Sequence, residues 1–422
     1  MKKVLIITYY WPPSGGAGVQ RWLKFSKYLP EYGWEPIILT VDPAFAAFPL
    51  TDNSLEEGLP PEIRVFKTPA IDYFSLYKKD KSKLPSAGFA NNAANSAGGK
   101  VSRFIRGNFF IPDPRRGWNV YAFRKACQLL ECEKIEHVIT TSPPHSTQLI
   151  GLKLKKKYAD IKWTADLRDP WTDIYYYQQF YPTFIARTID RWYEKRVLKN
   201  ADKIITVGKS LKDLFSQKYA GISEKVEVIT NGYDSDDFTS IISSSPEIFT
   251  ISYIGTLSDK YPVTGIIEAL RKFSEEGHKF NIRFTGTVSP SQKKEILSVP
   301  ECSHAVFMNY AEHEEALRQM SGSSLLLLII PEHRSNRSIL TGKLFEYIAS
   351  GKPILCIGPV DGDAAAILNG TGKGATFEYN DSTGMYDYLI SIEGGKSLNG
   401  NTPPEKYSRL RLTEELGRLL EN

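Results

Sequence analysis

The sequence predicts an α/β protein made of two doubly wound parallel sheets. Three observations point there. Short apolar runs alternate with longer amphipathic segments along most of the chain, as in parallel strands joined by crossover helices. The composition breaks at Ser235–Pro246, where Asp and Ser cluster among few apolar residues, and the alternation then resumes. The chain, at 422 residues, also exceeds what one hydrophobic core ordinarily serves.

In the first half, Val4–Thr8, Glu35–Val41, Ile63–Lys67, His137–Thr141, Lys162–Ala165, Lys203–Val207 and Val226–Thr230 are short runs of strand length, rich in β-branched residues. The segments Gly18–Tyr32, Tyr121–Glu133, Ser146–Tyr158, Phe184–Lys199 and Leu211–Tyr219 carry helical spacing between them. Pro85–Lys100, rich in Ala, Asn, Gly and Ser without periodicity, reads as a loop. Ser235–Pro246 reads as a linker. The second series has strands at Phe249–Ile254, Asn281–Thr285, Ala305–Met308, Leu325–Ile330, Ile354–Ile357 and Ala375–Glu378. A final helix, Pro404–Leu420, places Leu410, Leu412, Leu416, Leu419 and Leu420 on its apolar side. The expected domains are 1–240 with the terminal helix 404–422, and 241–403.

Composition excludes some classes. No apolar run approaches the roughly 20 residues that span a bilayer. The stretch Val4–Thr8 after Met1-Lys2-Lys3 is short for a signal peptide, and aromatic residues, Pro and Gly follow where cleavage would occur. The expected location is the cytoplasm, with peripheral attachment to the inner membrane face as a further expectation. Cys127, Cys132, Cys302 and Cys356 have no paired metal spacing and read as reduced thiols. The net charge of +5 is unevenly spread: residues 67–125 hold 12 Lys and Arg against Asp72, Asp80 and Asp113, interleaved with aromatic residues including Phe74, Tyr77, Phe104 and Phe109. Such a tract suits an anionic membrane surface, a phosphate-bearing acceptor or single-stranded nucleic acid, and equally a solvated insertion.

Candidate chemistry lies where loops follow strands. Gly15-Gly16-Ala17-Gly18 leads from a strand into a helix, so its backbone can approach a phosphate or sugar closely. It is not a GxGxxG fingerprint, and Asp42 is the nearest acid to the end of the next strand. Trp163-Thr164-Ala165-Asp166-Leu167-Arg168-Asp169-Pro170-Trp171 puts charges at the carboxyl edge of a strand. There Asp166 is a candidate at the reacting centre, while Arg168 and Asp169 contact an acceptor or form an ion pair. In Thr141-Ser142-Pro143-Pro144-His145-Ser146, His145 is placed to touch a ligand, and Ser146 reads equally as a helix cap. Gly255-Thr256 with Lys260 forms a second strand-end loop. Thr341, Gly342, Lys343, Leu344 and Glu346 open a short helix whose unpaired amides suit a diphosphate. Glu346, one turn in, can accept from ribose hydroxyls.

The stretch Lys343-Leu344-Phe345-Glu346-Tyr347-Ile348-Ala349-Ser350-Gly351-Lys352-Pro353-Ile354-Leu355 resembles the donor-site motif of GT-B glycosyltransferases of retaining family 4. Lys3–Pro13 with the glycine loop, Asn231-Gly232-Tyr233-Asp234, and Tyr253-Ile254-Gly255-Thr256-Leu257 are similar to further stretches of that family, in the same order. The resemblance implies two Rossmann-like domains facing across a cleft, with the C-terminal helix crossing back to the first. It also implies a nucleotide-sugar donor, UDP- or GDP-linked, held mainly by the second domain at Gly255, Thr256, Lys260, Thr341, Gly342, Lys343, Leu344 and Glu346, with Gly15 and Gly16 of the first domain closing on its diphosphate. Gly18, His145, Arg168 and Asp169 would serve a glycan or lipid-linked acceptor of surface polysaccharide synthesis. Asp166 stands where many members have His, Thr256 where Arg is usual, and Ser338 where a second Glu is usual. Lys260 would then meet leaving-group charge. No metal or other cofactor is expected, since Asp234-Ser235-Asp236 is accounted for by the Asn-Gly-x-Asp turn, and nucleic acid is not an expected partner. The alternative readings are a nucleotide-sugar epimerase of the same fold and a non-catalytic sugar- or nucleic-acid-binding protein.

Overall fold

Val4, Leu5, Ile6 and Ile7 are all fully buried, and they divide between two cores. Leu5 and Ile7 pack with Ile37, Leu39 and Val138, whereas Val4 and Ile6 pack with Trp22, Phe25 and Trp34. Successive strand residues point to opposite faces, and a strand covered on both faces is apolar throughout rather than alternating. Leu325 to Ile330 repeat the pattern in the second half. Leu325, Leu327 and Ile329 enter one cluster, and Leu326, Leu328 and Ile330 the other.

The computed structural model describes residues 1–46, 48, 51–57, 59–73, 97–239, 241, 245–396, 400–402 and 404–421. The expected loop Pro85–Lys100 as far as Ser96, and Phe74 and Tyr77 of the basic tract, lie outside the described residues. The last residues of that expected loop instead open a helix, Ala97–Phe109.

The first sheet comprises β1 (Lys2–Ile7), β2 (Trp34–Val41), β3 (Arg64–Thr68), β4 (His137–Ser142), β5 (Lys162–Leu167), β6 (Lys203–Thr206) and β7 (Val226–Val228). All pairings are parallel, in the order β3-β2-β1-β4-β5-β6-β7. The second sheet comprises β8 (Phe249–Ile254), β9 (Phe280–Thr285), β10 (Val306–Met308), β11 (Leu325–Ile329), β12 (Ile354–Ile357) and β13 (Gly374–Phe377). Its order is β10-β9-β8-β11-β12-β13, again parallel.

The chain forms two compact units, Met1–Thr230 with Leu412–Asn422, and Asn231–Arg411. The turn Asn231–Asp234 is fixed inside the second unit, because the Tyr233 amide donates to the Tyr407 carbonyl at 3.1 Å and the Arg409 amide to the Tyr233 carbonyl at 2.7 Å. The Asp234 carboxylate accepts from the Asp236 amide at 3.2 Å, capping the short turn that follows. The last helix, Arg409–Glu421, contributes Leu412, Leu416, Leu419 and Leu420 to the core containing Trp22 and Trp34. Leu410, expected on the same side, is exposed instead.

Candidate active site

Each sheet reverses its winding between two neighbouring strands, β1 and β4 in the first and β8 and β11 in the second. Open α/β sheets bind ligands outside the carboxyl ends of the strands at such a point. The candidate residues of each unit gather there.

In the first unit, Gly16 adopts φ +96°, a conformation L side chains rarely take, and the helix Ala17–Tyr28 begins directly after it. Arg168, beyond β5, donates from Nη1 to the Gly18 carbonyl at 2.9 Å and from Nε to the Ser142 carbonyl at 3.0 Å. One guanidinium therefore ties the glycine loop after β1 to the end of β4. The expected Arg168–Asp169 ion pair does not form, and the carboxylate nearest the guanidinium is that of Asp166, at 4.0 Å. Burial raises the pKa of the Asp169 carboxyl, with Arg168 opposing.

Asp166 corrects an expectation. Its Oδ1 accepts from Arg21 Nη2 at 3.1 Å, and its Oδ2 from Trp22 Nε1 and Thr141 Oγ1, both at 2.8 Å. The Arg21 and Asp166 side chains have no exposed surface. Arg21 also donates to the Thr230 and Ile229 carbonyls at 2.7 and 2.9 Å. With both oxygens engaged and water excluded, this carboxylate orients the helix after β1 against β4 and β5 and has no face left for a substrate.

Beside this network lies an aromatic pocket lined by Tyr10, His145, Trp171, Tyr176, Phe180 and Asp190 among others. Trp171 takes φ +34°, strained for a bulky residue. Two contacts hold it there: its Nε1 donates to Asp190 at 2.8 Å, and its ring stacks on His145 with centroids 4.7 Å apart. Burial, then the charge of Arg168, lowers the His145 pKa to about 3, so the imidazole is neutral at physiological pH. Its Nδ1 is buried without a hydrogen-bond partner. Burial raises the Asp190 pKa to about 6, although Trp171 and Tyr177 both donate to it. Ser146, read as a possible helix cap, instead donates its amide and hydroxyl to Asp113, at 2.8 and 2.9 Å.

In the second unit, Gly255 ends β8 at φ +131°, and a Cβ there would stand 2.8 Å from Lys343 Nζ. Glycine thus makes room for the ammonium, which also sits 4.1 Å from the centre of the Tyr253 ring. Lys343 comes from the second position of the helix Gly342–Ala349. Burial lowers its pKa to about 7, only partly offset by Glu346. Thr341, at the head of that helix, carries a buried Oγ1 with no partner. Tyr347 fixes the helix to β8 by accepting from the Ile254 amide at 3.0 Å. The arrangement is a helix N-terminus with an adjacent cation and, one turn on, a carboxylate.

Residues 86–237 match the sequence model of Glycosyltransferase Family 4. That stretch is similar to family 4 glycosyltransferases, and the chain as a whole has the GT-B fold. The lipopolysaccharide outer core galactosyltransferase WaaB superimposes with a TM-score of 0.61 at 11% identity, covering 100% of this chain and 99% of that one. HepE of Anabaena, solved in complex with UDP-glucose, gives 0.63 at 12% identity with 100% of both chains covered. WaaG, a glycosyltransferase involved in lipopolysaccharide biosynthesis, gives 0.51 at 14% identity, covering 99% and 95%. No curated protein matches the chain in sequence.

The chain keeps its candidates in two groups. Gly15, Gly16, Gly18, His145, Asp166, Arg168 and Asp169 belong to the first unit, and Gly255, Thr256, Lys260, Thr341, Gly342, Lys343, Leu344 and Glu346 to the second. Leu344 departs from its expected donor-binding role: its side chain is fully buried and its amide donates to the Thr341 carbonyl at 3.2 Å. The Thr256 carbonyl accepts from the Tyr253 hydroxyl at 2.7 Å. Lys260 holds Glu332 through its own carbonyl at 2.9 Å, while the ammonium beside Gly255 is that of Lys343. Arg337 pairs with Asp361 at 2.7 Å on the surface. Sequence reasoning missed Arg21, Tyr10 and Asp190. The apolar spacing around Arg21 and Asp190 gave the only available signal, since each falls on the inward face of its helix.

Proposed function

We propose that this glycosyltransferase transfers a sugar, with retention of anomeric configuration, from a uridine or guanosine diphosphate sugar to a glycan or lipid-linked acceptor of surface polysaccharide. The observation that carries the donor half is Lys343 Nζ beside Gly255, at the start of a helix that bears Glu346 one turn later. The helix amides and the ammonium suit a diphosphate, and the carboxylate suits ribose hydroxyls. The UDP-glucose complex of HepE favours uridine over guanosine.

During transfer a bond forms between an acceptor hydroxyl oxygen and the anomeric carbon as the bond to the diphosphate breaks, and the hydroxyl proton passes to the departing diphosphate oxygen. The electron pair leaves on the diphosphate, where Lys343 and the helix N-terminus lower the energy of the developing charge. Lys260 remains a candidate for a second cation at the same phosphates. On the first unit, the pocket of Tyr10, Trp171, Tyr176 and Phe180 offers flat apolar faces with Asp190 and His145 at its wall, which suits a sugar ring of the acceptor.

Calorimetric titration of the protein with UDP and with GDP tests the donor half. Saturable binding of one of them, weakened in a Glu346→Ala variant, supports the reading. Absence of binding by UDP, GDP and ADP to folded protein overturns it. Incubating UDP-sugars without any acceptor and finding an epimerised sugar nucleotide would favour the epimerase instead.

A further inference from the structure

The exposed apolar side chains of the first unit are concentrated on two helices. Val101, Phe104 and Phe109 face solvent on the helix Ala97–Phe109. Phe184, Ile185, Ile189 and Trp192 do so on the helix Phe184–Asn200. On the second helix Ile185, Ile189 and Trp192, at steps of four and three, share one stripe with Phe184 at its head; on the first Val101 and Phe104 share a face and Phe109 ends the helix. These are protruding tips: Phe109 and Ile185 are 70% exposed and Phe184 79%.

The two stripes are fastened to each other. Asn108 donates to the Tyr181 carbonyl at 3.0 Å and accepts from the Thr183 amide at 2.7 Å, and Thr183 caps the second helix. Gly107 permits the approach, since a Cβ there would lie 2.2 Å from the Phe180 carbonyl oxygen.

Their charge has one sign. The first helix carries Lys100, Arg103 and Arg106 and no acid. The second exposes Arg191, Lys195 and Lys199, whereas its two acids are buried. Asp190 accepts from Trp171 and Tyr177, and Glu194 accepts from Thr172 and pairs with Lys218 at 2.6 Å. Arg106 lies 3.9 Å over the Phe180 ring and Arg196 4.6 Å over the Trp192 ring.

We propose that this double-helix face docks on an anionic bilayer. The apolar tips enter the boundary between headgroups and acyl chains, the basic residues meet anionic headgroups, and Trp192 takes the interfacial depth that indole rings favour. Protruding aliphatic and aromatic tips offer nothing to a phosphate backbone, which sets a membrane apart from nucleic acid. Only one of the two helices falls within the basic-aromatic tract 67–125; the other reads in sequence as an ordinary crossover helix. Arg106 and Gly107 of the first helix, and Asp190 on the buried side of the second, also wall the aromatic pocket, so a sugar on a lipid carrier in the same bilayer would reach it. That last clause rests on the acceptor reading given above, and the docking does not.

The test uses the full chain, without nucleotide or acceptor, and vesicles of phosphatidylcholine with or without phosphatidylglycerol. Six of the seven tryptophans are buried and Trp192 is 49% exposed, so brominated acyl chains report on Trp192 directly. The expected result is co-flotation and quenching with the anionic vesicles and not with phosphatidylcholine alone. Binding falls roughly tenfold or more in Phe184→Ser/Ile185→Ser and in Arg191→Glu/Lys195→Glu, with unchanged circular dichroism. Protein that stays unbound with both vesicles, or variants that bind like the parent, overturns the proposal. A concentration-dependent dimer abolished by the same substitutions, or an oligonucleotide bound where vesicles are not, also overturns it. UDP titration of the same samples keeps a failure here distinct from a failure of the donor site.

Discussion

Arg21 and Asp166 form an ion pair with no exposed surface on either side chain, 3.1 Å apart, from two elements 145 positions apart in the chain. Burial pulls the Arg21 pKa down and Asp166 pushes it back up, so the pair exists because each charge answers the other. Removing one partner strands the other. Asp166→Ala is expected to destabilise the first unit by about 3–5 kcal/mol. All seven tryptophans lie in that unit, so urea unfolding followed by tryptophan fluorescence measures it. UDP binding to the second unit should survive the substitution below the unfolding transition. A variant with parental stability would restore Asp166 to the reacting centre.

Lys343 sets a pH dependence. Its folded pKa lies near 7 against an ordinary 10.5, so above pH 7 the lysine of the empty site is largely neutral. A diphosphate favours the ammonium and must draw a proton to form it. Between pH 7 and 9, UDP affinity should decline by up to roughly tenfold per unit, with proton uptake visible as a buffer-dependent binding enthalpy. Lys343→Gln should bind weakly at every pH with that slope gone. Unliganded protein shows the opposite trend. The unfolded lysine holds a proton that the folded one has released, so stability rises with pH between about 7 and 10.

Glu346→Ala isolates the ribose contact. Losing hydrogen bonds to a charged acceptor costs about 1.5–3 kcal/mol, which predicts UDP binding weaker by roughly 10- to 100-fold. Circular dichroism should be unaltered, because Glu346 is half-buried and the helix is held by Leu344, Phe345 and Tyr347 in the core.

Asp190 carries a stability cost at neutral pH. Its pKa is raised from 3.8 to about 6, chiefly by burial, so the folded state holds its proton more tightly than the unfolded state does. The stabilisation is complete below about pH 4 and disappears as pH rises through 6. Asp190→Asn should therefore gain about 1–2 kcal/mol over the parent between pH 5 and 8. Urea midpoints at the two pH values check it; a constant difference would contradict the shift.

The two sheets were legible because buried parallel strands are apolar on both faces. Val4–Ile7 and Leu325–Ile330 announce themselves without any partner in view. The helix–glycine geometry around Gly342 was legible for a local reason, a short motif whose backbone consequences travel with it. Asp166 was misread because strand-end charges look alike in sequence. Only the fold reveals that Arg21, Trp22 and Thr141 converge on that carboxylate. Sequence favoured Lys260 over Lys343 as the cation near Gly255, because the room that Gly255 leaves for Lys343 is visible only in the fold. The aromatic pocket draws on segments from Tyr10 to Asp190, and no periodicity encodes such an assembly.

The membership of Leu412–Asn422 in the first unit has a consequence for biosynthesis. Trp22, Phe25 and Trp34 lack part of their cover until Leu412, Leu416 and Leu420 have left the ribosome. About 190 residues are translated between Thr230 and Leu420, on the order of 10–40 s at typical elongation rates. For that interval the nascent first unit exposes aromatic surface, a target for holdase chaperones, and its completion waits on the synthesis of a helix that follows the whole second unit.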